Sequence, residues 1–226
     1  MALPQAVRDI LEKTDNDLCA PVRAIEDRET KWEPPPLWHL LVAFGTQEDG
    51  GEASALLAFR RRLRLALYAA QRALVCWELY CDGKEPHAAI AAIEAWLASD
   101  TRPTDWESLC RPAQPAFREH AIGDCRWADT GSAAKAAACA AQFLRDGALV
   151  QAFDAIEYAH AAFIDSPLGE KDHIERWLIE VAASAAYENR DLTPAERDAS
   201  RDFDAREIPA VREREAHYWN AWLRNP

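Results

Sequence analysis

Glycine is scarce in this chain, with 8 residues in 226. Sheet-rich folds spend glycine on tight turns, so the scarcity points to helices. No run shows period-two alternation, which removes the main signal for half-buried strands. No stretch approaches 18 uncharged apolar residues, so no membrane-spanning helix is expected. The opening residues reach Arg8, Asp9, Glu12 and Lys13 without a basic and then apolar leader, so no secretory signal is read there. The 6 cysteines contain no Cys-x-x-Cys pair and no regular framework. They read as free, buried thiols in a reducing compartment, and the expected location is cytoplasmic. Positive charge is also in deficit: 26 Lys and Arg face 38 Asp and Glu, for a net charge of −12. Phosphate backbones repel such a chain, which argues against nucleic-acid binding and for a basic partner.

The chain has 9 tryptophans and 49 % hydrophobic residues, enough to build a core without disulfides or metal. The clearest periodic segment runs from Glu52 to Tyr80, where Leu56, Phe59, Leu63, Leu67, Ala70, Leu74 and Trp77 recur at helical steps. Asp82-Gly83-Lys84-Glu85-Pro86 then reads as a short turn. Gly83 is expected to be a left-handed cap and Pro86 to open the next helix. A turn this short makes residues 52–98 an antiparallel helical hairpin.

Elsewhere the pattern is less regular. Residues 1–50 form an irregular, partly helical N-terminal region. Pro4 to Lys13 and Leu37 to Phe44 read as short helices, the second led by Pro36 and closed by Gly45. Ser99 to Asp129 is rich in proline, with a capping-box pattern at Thr104-x-x-Glu107. Residues 130–226 supply Ala-rich and C-terminal helices: Ser132 to Arg145, Ala148 to Phe163, Asp172 to Asn189, and a charged helix after Thr193-Pro194-Ala195-Glu196. Alanine loses no side-chain entropy in a helix and lets axes approach closely. The expected fold is therefore one all-α domain, a compact multi-helix bundle with solenoid-like stacked hairpins as a variant.

The chemistry-bearing residues are sparse. Glu157-x-x-His160 has the spacing used in carboxylate-bridged di-iron bundles, but such sites need a second pair and two further carboxylates. No complete ligand set of that kind is identified, so no metal and no cofactor is assigned; a metal-dependent helical enzyme stays open only as an alternative. No nucleophile elbow, phosphate loop or His-Glu-x-x-His is present, and no catalytic residue is assigned. Arg60, Arg61, Arg62 and Arg64 suit pairing with neighbouring acids better than phosphate binding in so acidic a chain. The acids themselves cluster: Glu26, Asp27, Glu29 and Glu33; Glu48 and Asp49; Asp198, Asp202 and Asp204. They read either as a solvated surface or as a docking face for a basic protein, which would speed capture and fix orientation. Trp32 and Trp38 offer an aromatic route to the same end, although Trp38 lies in an apolar run.

Leu65-Ala66-Leu67-Tyr68-Ala69-Ala70, Trp77-Glu78-Leu79-Tyr80 and the proline-led run Pro86 to Leu97 resemble a helical hairpin of immunity proteins from bacterial polymorphic toxin systems. Lys135 to Ala141 stands where that family carries a later Ala-rich helix. The resemblance covers a third to a half of the chain and rests on small and apolar residues. It implies an all-helical cytosolic protein that binds and neutralises a cognate toxin, and it carries over no catalytic residue. An α-helical protein–protein adaptor fits the same features.

Overall fold

The computed structural model describes residues 5–12, 19, 22–26, 29–45, 52–113, 125–164 and 176–197. The architecture is the expected all-α bundle. Helices α1 (Gln5–Glu12), α2 (Pro36–Ala43), α3 (Glu52–Tyr80), α4 (Glu85–Ser99), α5 (Trp106–Leu109), α6 (Cys125–Asp146) and α7 (Leu149–Ile164) are followed by a π-helical turn, Leu178–Ala182. That turn runs directly into α8 (Ala183–Tyr187).

One element departs from the sequence reading. Strands β1 (Val22–Glu26) and β2 (Glu29–Glu33) form an antiparallel hairpin, with Val22 opposite Glu33 and Glu26 opposite Glu29. Residues such as Val22, Ile25, Thr30 and Trp32 favour strands, but Val22 to Glu26 does not alternate and the alternation from Glu29 to Glu33 spans only five residues. Two further expectations are corrected at helix ends. Helix α6 starts at Cys125, inside the stretch read as irregular. The N-cap of α5 is Asp105, whose carboxylate accepts from the Ser108 N–H at 3.0 Å, not Thr104.

Helix α3, 29 residues long and about 43 Å at ~1.5 Å per residue, is the axis of the bundle. Helices α4, α6, α7 and α8 all pack on it. Between Arg61 and Trp77 nearly every residue is buried, including Arg61, Arg64 and Arg72. The arginines expected beside the apolar stripe thus lie inside the packed surface, because neighbours surround α3 on several sides. Phe59 ties three helices together: its ring stacks on Phe143 at 4.9 Å and meets the edge of Trp96 at 5.4 Å.

The alanines act as spacers. Ala133, Ala136, Ala137 and Ala140 on α6, and Ala152, Ala155, Ala159 and Ala162 on α7, are fully buried. They recur at three- and four-residue steps, so each helix presents a small-residue stripe to its neighbours. Gly147, at φ +70°, makes the sharp turn between α6 and α7 in a conformation that L-residues avoid.

Gly83 is not left-handed, contrary to the sequence reading; besides Gly147, the described residues with positive φ are Asp100 and Asn189, both at 54°. Gly83 is held by space instead. A Cβ there would lie 2.9 Å from the Trp77 ring, and the Trp77 indole N–H donates to the Gly83 carbonyl at 2.8 Å.

Candidate functional site

The acids singled out from sequence fall in two groups. Glu26 ends β1 and Glu29 begins β2, so the hairpin register sets them opposite each other across a two-residue connection. Glu33 closes β2 at the other end of the hairpin. Asp27, Glu48, Asp49, Asp198, Asp202 and Asp204 lie outside the described residues. Of the two tryptophans weighed as anchors, Trp38 is half-buried on α2 with its ring 5.9 Å from Phe153. Its helix neighbour Val42 is 39 % exposed.

The arginines of α3 clamp the bundle. Arg60 bonds Asp100 at 2.6 Å and the Leu97 carbonyl at 3.2 Å, with its guanidinium 5.0 Å from the Trp96 ring. These contacts fasten the C-terminal end of α4. Arg62 donates from Nε to the Leu41 carbonyl at 2.7 Å and so satisfies an orphan acceptor at the end of α2. A side chain at Gly45 would collide with that guanidinium. Arg61 lies over the Tyr187 ring at 3.9 Å and Arg72 over Phe163 at 4.5 Å. A cation on an aromatic face gains both electrostatic and packing energy. Of the arginines expected to pair with acids, Arg60 and Arg64 do so, with Asp100 and Asp191, whereas Arg61 rests on the Tyr187 ring and Arg62 on backbone carbonyls.

Arg64 has the richest set of partners. It donates to Asn189 Oδ1 at 3.0 Å, to the Tyr68 hydroxyl at 3.3 Å and to the Asp191 carboxylate. The Tyr68 hydroxyl in turn donates to the Arg190 carbonyl at 2.5 Å. Burial pushes the Tyr68 phenol above its ordinary pKa, against the pull of Arg64. Burial alone would lower the Arg64 pKa, but Asp191 and Tyr68 outweigh it and the net direction is up.

Segment 188–197 is thus fastened across α3. Its own folding is specified by a capping box: the Thr193 N–H donates to Glu196 Oε2 at 2.8 Å and the Glu196 N–H to Thr193 Oγ1 at 3.2 Å. Glu196 also receives both terminal nitrogens of Arg190 at 2.8 Å. The Arg190 fork, reinforced by Thr193, holds the Glu196 carboxyl down at about 2 despite some desolvation. Thr193 and Glu196 were visible in the sequence as a cap; their neighbours Asn189, Arg190 and Asp191 gave no signal.

Under this segment lies a recess of about 200 Å³. Arg64, Leu67, Tyr68 and Gln71 of α3 form one wall; Glu94, Leu97 and Ala98 of α4 form another; Asp191, Leu192 and Arg197 close the third. Gln71 donates to Glu94 Oε1 at 2.7 Å. No sequence motif announces this recess, because its walls come from three separated segments.

Cys19, Cys76, Cys81, Cys110 and Cys139 are not in disulfides. Burial pushes the Cys139 thiol up to about 12, and burial also raises Cys110, so neither is an activated thiolate. His160 is buried while Glu157, three residues earlier, is exposed. Burial and the nearby Asp154 raise the Glu157 pKa. Among the described residues no group of three His, Cys, Asp or Glu side chains is gathered to hold a metal, and no helix is long and apolar enough to cross a membrane.

Comparison of the chain with protein-family models, with curated proteins and with solved structures finds no match.

Proposed function

We propose that this chain is an immunity protein: a non-enzymatic helical inhibitor that binds a cognate bacterial toxin and neutralises it by surface complementarity. The observation that carries the reading is the α3–α4 hairpin with α6 packed against it, formed by the residues that resemble the immunity-protein hairpin. The partner is a toxin with a basic surface, met in the cytoplasm, since the chain carries a net charge of −12. Opposite charge on two partners accelerates encounter and suppresses wrong ones. The β1–β2 turn supports an acidic docking edge, because its register sets Glu26 opposite Glu29 with Asp27 next in sequence.

The test is genetic. The gene adjacent to the one encoding this chain is expressed in a bacterial host, alone and with this chain. The expected outcome is arrested growth alone and restored growth together. A neighbouring product that is harmless, or toxicity that this chain leaves untouched, removes the proposal. A large assembly recovered by pull-down from native cells, in place of a single small basic protein, would favour the adaptor reading.

A further inference from the structure

We infer that the outward face shared by α2 and α7 is a docking surface for a basic amphipathic helix of a partner protein. Three observations on the described residues support it.

The first is apolar surface left in water. Apart from His39, helix α2 is wholly apolar. A helix apolar on all sides belongs in an interior, yet the packing of α2 is one-sided. Leu37, Leu40 and Leu41 are buried, while Trp38 is half-buried and Val42 is 39 % exposed. Trp38 and Val42, four residues apart, share a side of the helix. The Trp38 ring meets Phe153 of α7 edge-on at 5.9 Å, which joins the outward faces of the two helices. On α7, Phe153 is half-buried and Val150 is 46 % exposed. Single apolar residues at a surface are ordinary, but neighbouring ones rimmed by charge mark interaction sites.

The second is the pattern on α7. Val150, Phe153, Asp154 and Glu157 stand at steps i, i+3, i+4 and i+7, so they form one stripe along the helix. None of the four is fully buried. Rows of side chains at this spacing are what a second helix packs against, and amphipathic helices dock on such faces through their apolar side.

The third is charge. The stripe is apolar in its first half and acidic in its second. Asp154 and Glu157 form no ion pair among the described residues; Lys135 of α6 rests over the Tyr158 ring at 5.1 Å instead. Burial raises the pKa of both carboxyls, and Asp154 raises Glu157 further, the direction taken by carboxylates without a cation beside them. A helix with apolar residues and adjoining Lys or Arg complements this stripe. A second copy of the chain does not, because it brings the same acids and a net charge of −12.

The experiment titrates the full chain into a labelled synthetic peptide and follows fluorescence anisotropy. The peptide is about 18 residues long, enough to hold a helix, with Leu along one face and Lys elsewhere. Two companions replace its Lys by Glu or its Leu by Ser. The Leu–Lys peptide is expected to bind about tenfold or more tightly than either companion. Val42→Ser combined with Val150→Ser, at exposed positions, should weaken it about tenfold, and so should Asp154→Asn combined with Glu157→Gln, most at low salt. Glu94→Gln combined with Glu107→Gln, exposed acids of α4 and α5, should change nothing. All variants should melt near the parent temperature; should the serine pair fail to fold, the amide pair decides alone, because it keeps side-chain shape. No binding by the full chain, as when a second copy or another part of the chain already covers the face, would overturn the assignment. So would binding that the α2–α7 variants leave untouched, or a loss in the Glu94 and Glu107 pair equal to that in the Asp154 and Glu157 pair. Because the probe is synthetic, the outcome does not depend on the partner being a toxin.

Discussion

At the scale of single residues, Arg64 and Glu196 show how the C-terminal described segment is held. Arg64→Ala removes the buried guanidinium that joins Asn189, Asp191 and the Tyr68 hydroxyl, leaving Tyr68 only its bond to the Arg190 carbonyl. Loss of a buried charged hub of this kind costs about 2–3 kcal/mol, readable as a lower urea midpoint. Arg64→Lys should rescue little, because an ammonium cannot reproduce the planar fork that reaches three partners. Glu196 makes a prediction about pH. Its carboxyl is held at about 2, against an ordinary value of 4.5, chiefly by Arg190. A depressed folded-state pKa adds stability that is complete above pH ~4.5 and lost as pH falls towards 2. The pair sits near the surface, so solvent screening limits the contribution to about 1 kcal/mol. In Glu196→Gln, unfolding free energy measured from pH 7 to pH 2 should lose that component of its decline.

At the scale of elements, the seam between α6 and α7 depends on small residues and on one turn. Ala137 is fully buried on α6. Ala137→Leu should cost about 1–3 kcal/mol, since extra volume in a packed seam displaces side chains and backbone. Gly147 tests a different cause. A Cβ there finds room, with Phe59 Cε2 at 3.8 Å, but φ is +70°. Gly147→Ala should therefore cost about 1 kcal/mol through the backbone alone, and thermal unfolding would register the loss.

These elements were largely legible in the sequence. The stripe from Phe59 to Trp77 and the alanine spacing of α6 and α7 reveal themselves through the 3.6-residue period, and helix α3 forms as read. The β1–β2 hairpin was not legible, because Val22 to Glu26 does not alternate and the alternation in Glu29 to Glu33 spans only five residues. Nor was the burial of Arg61, Arg64 and Arg72. Periodicity reports one apolar stripe, whereas a central helix is enclosed on several sides and accommodates arginine by stacking on Tyr187 and Phe163. Gly83 was read as a left-handed cap because a turn and a close approach leave the same letter in the sequence.

At the scale of the whole molecule, charge and packing divide the work. The core runs from Val7 to Leu192 as one contiguous cluster, and it determines the shape. The recess under segment 188–197 could not be read from sequence, since its walls come from α3, α4 and residues 191–197. The acidic clusters could be read, and Glu26 and Glu29 do meet across the β1–β2 turn. Two modes of docking the proposed partner differ in kinetics. Exposed acids raise the association rate and lose their effect in salt, as charges beyond ~8 Å are screened at physiological ionic strength. An aromatic anchor such as the half-buried Trp38 would govern dissociation and respond little to salt.

The central claim is that this chain captures a basic toxin through its acidic surface. Stopped-flow association with the product of the adjacent gene, at low and high salt, tests it most directly. Wild type is compared with the triple reversal Glu26→Lys, Asp27→Lys and Glu29→Lys. The account predicts fast association of wild type at low salt, a marked fall at high salt, and a slow, salt-insensitive on-rate for the reversal, with its melting temperature unchanged. No association by wild type, or an on-rate for the reversal equal to wild type at both salts, would contradict it.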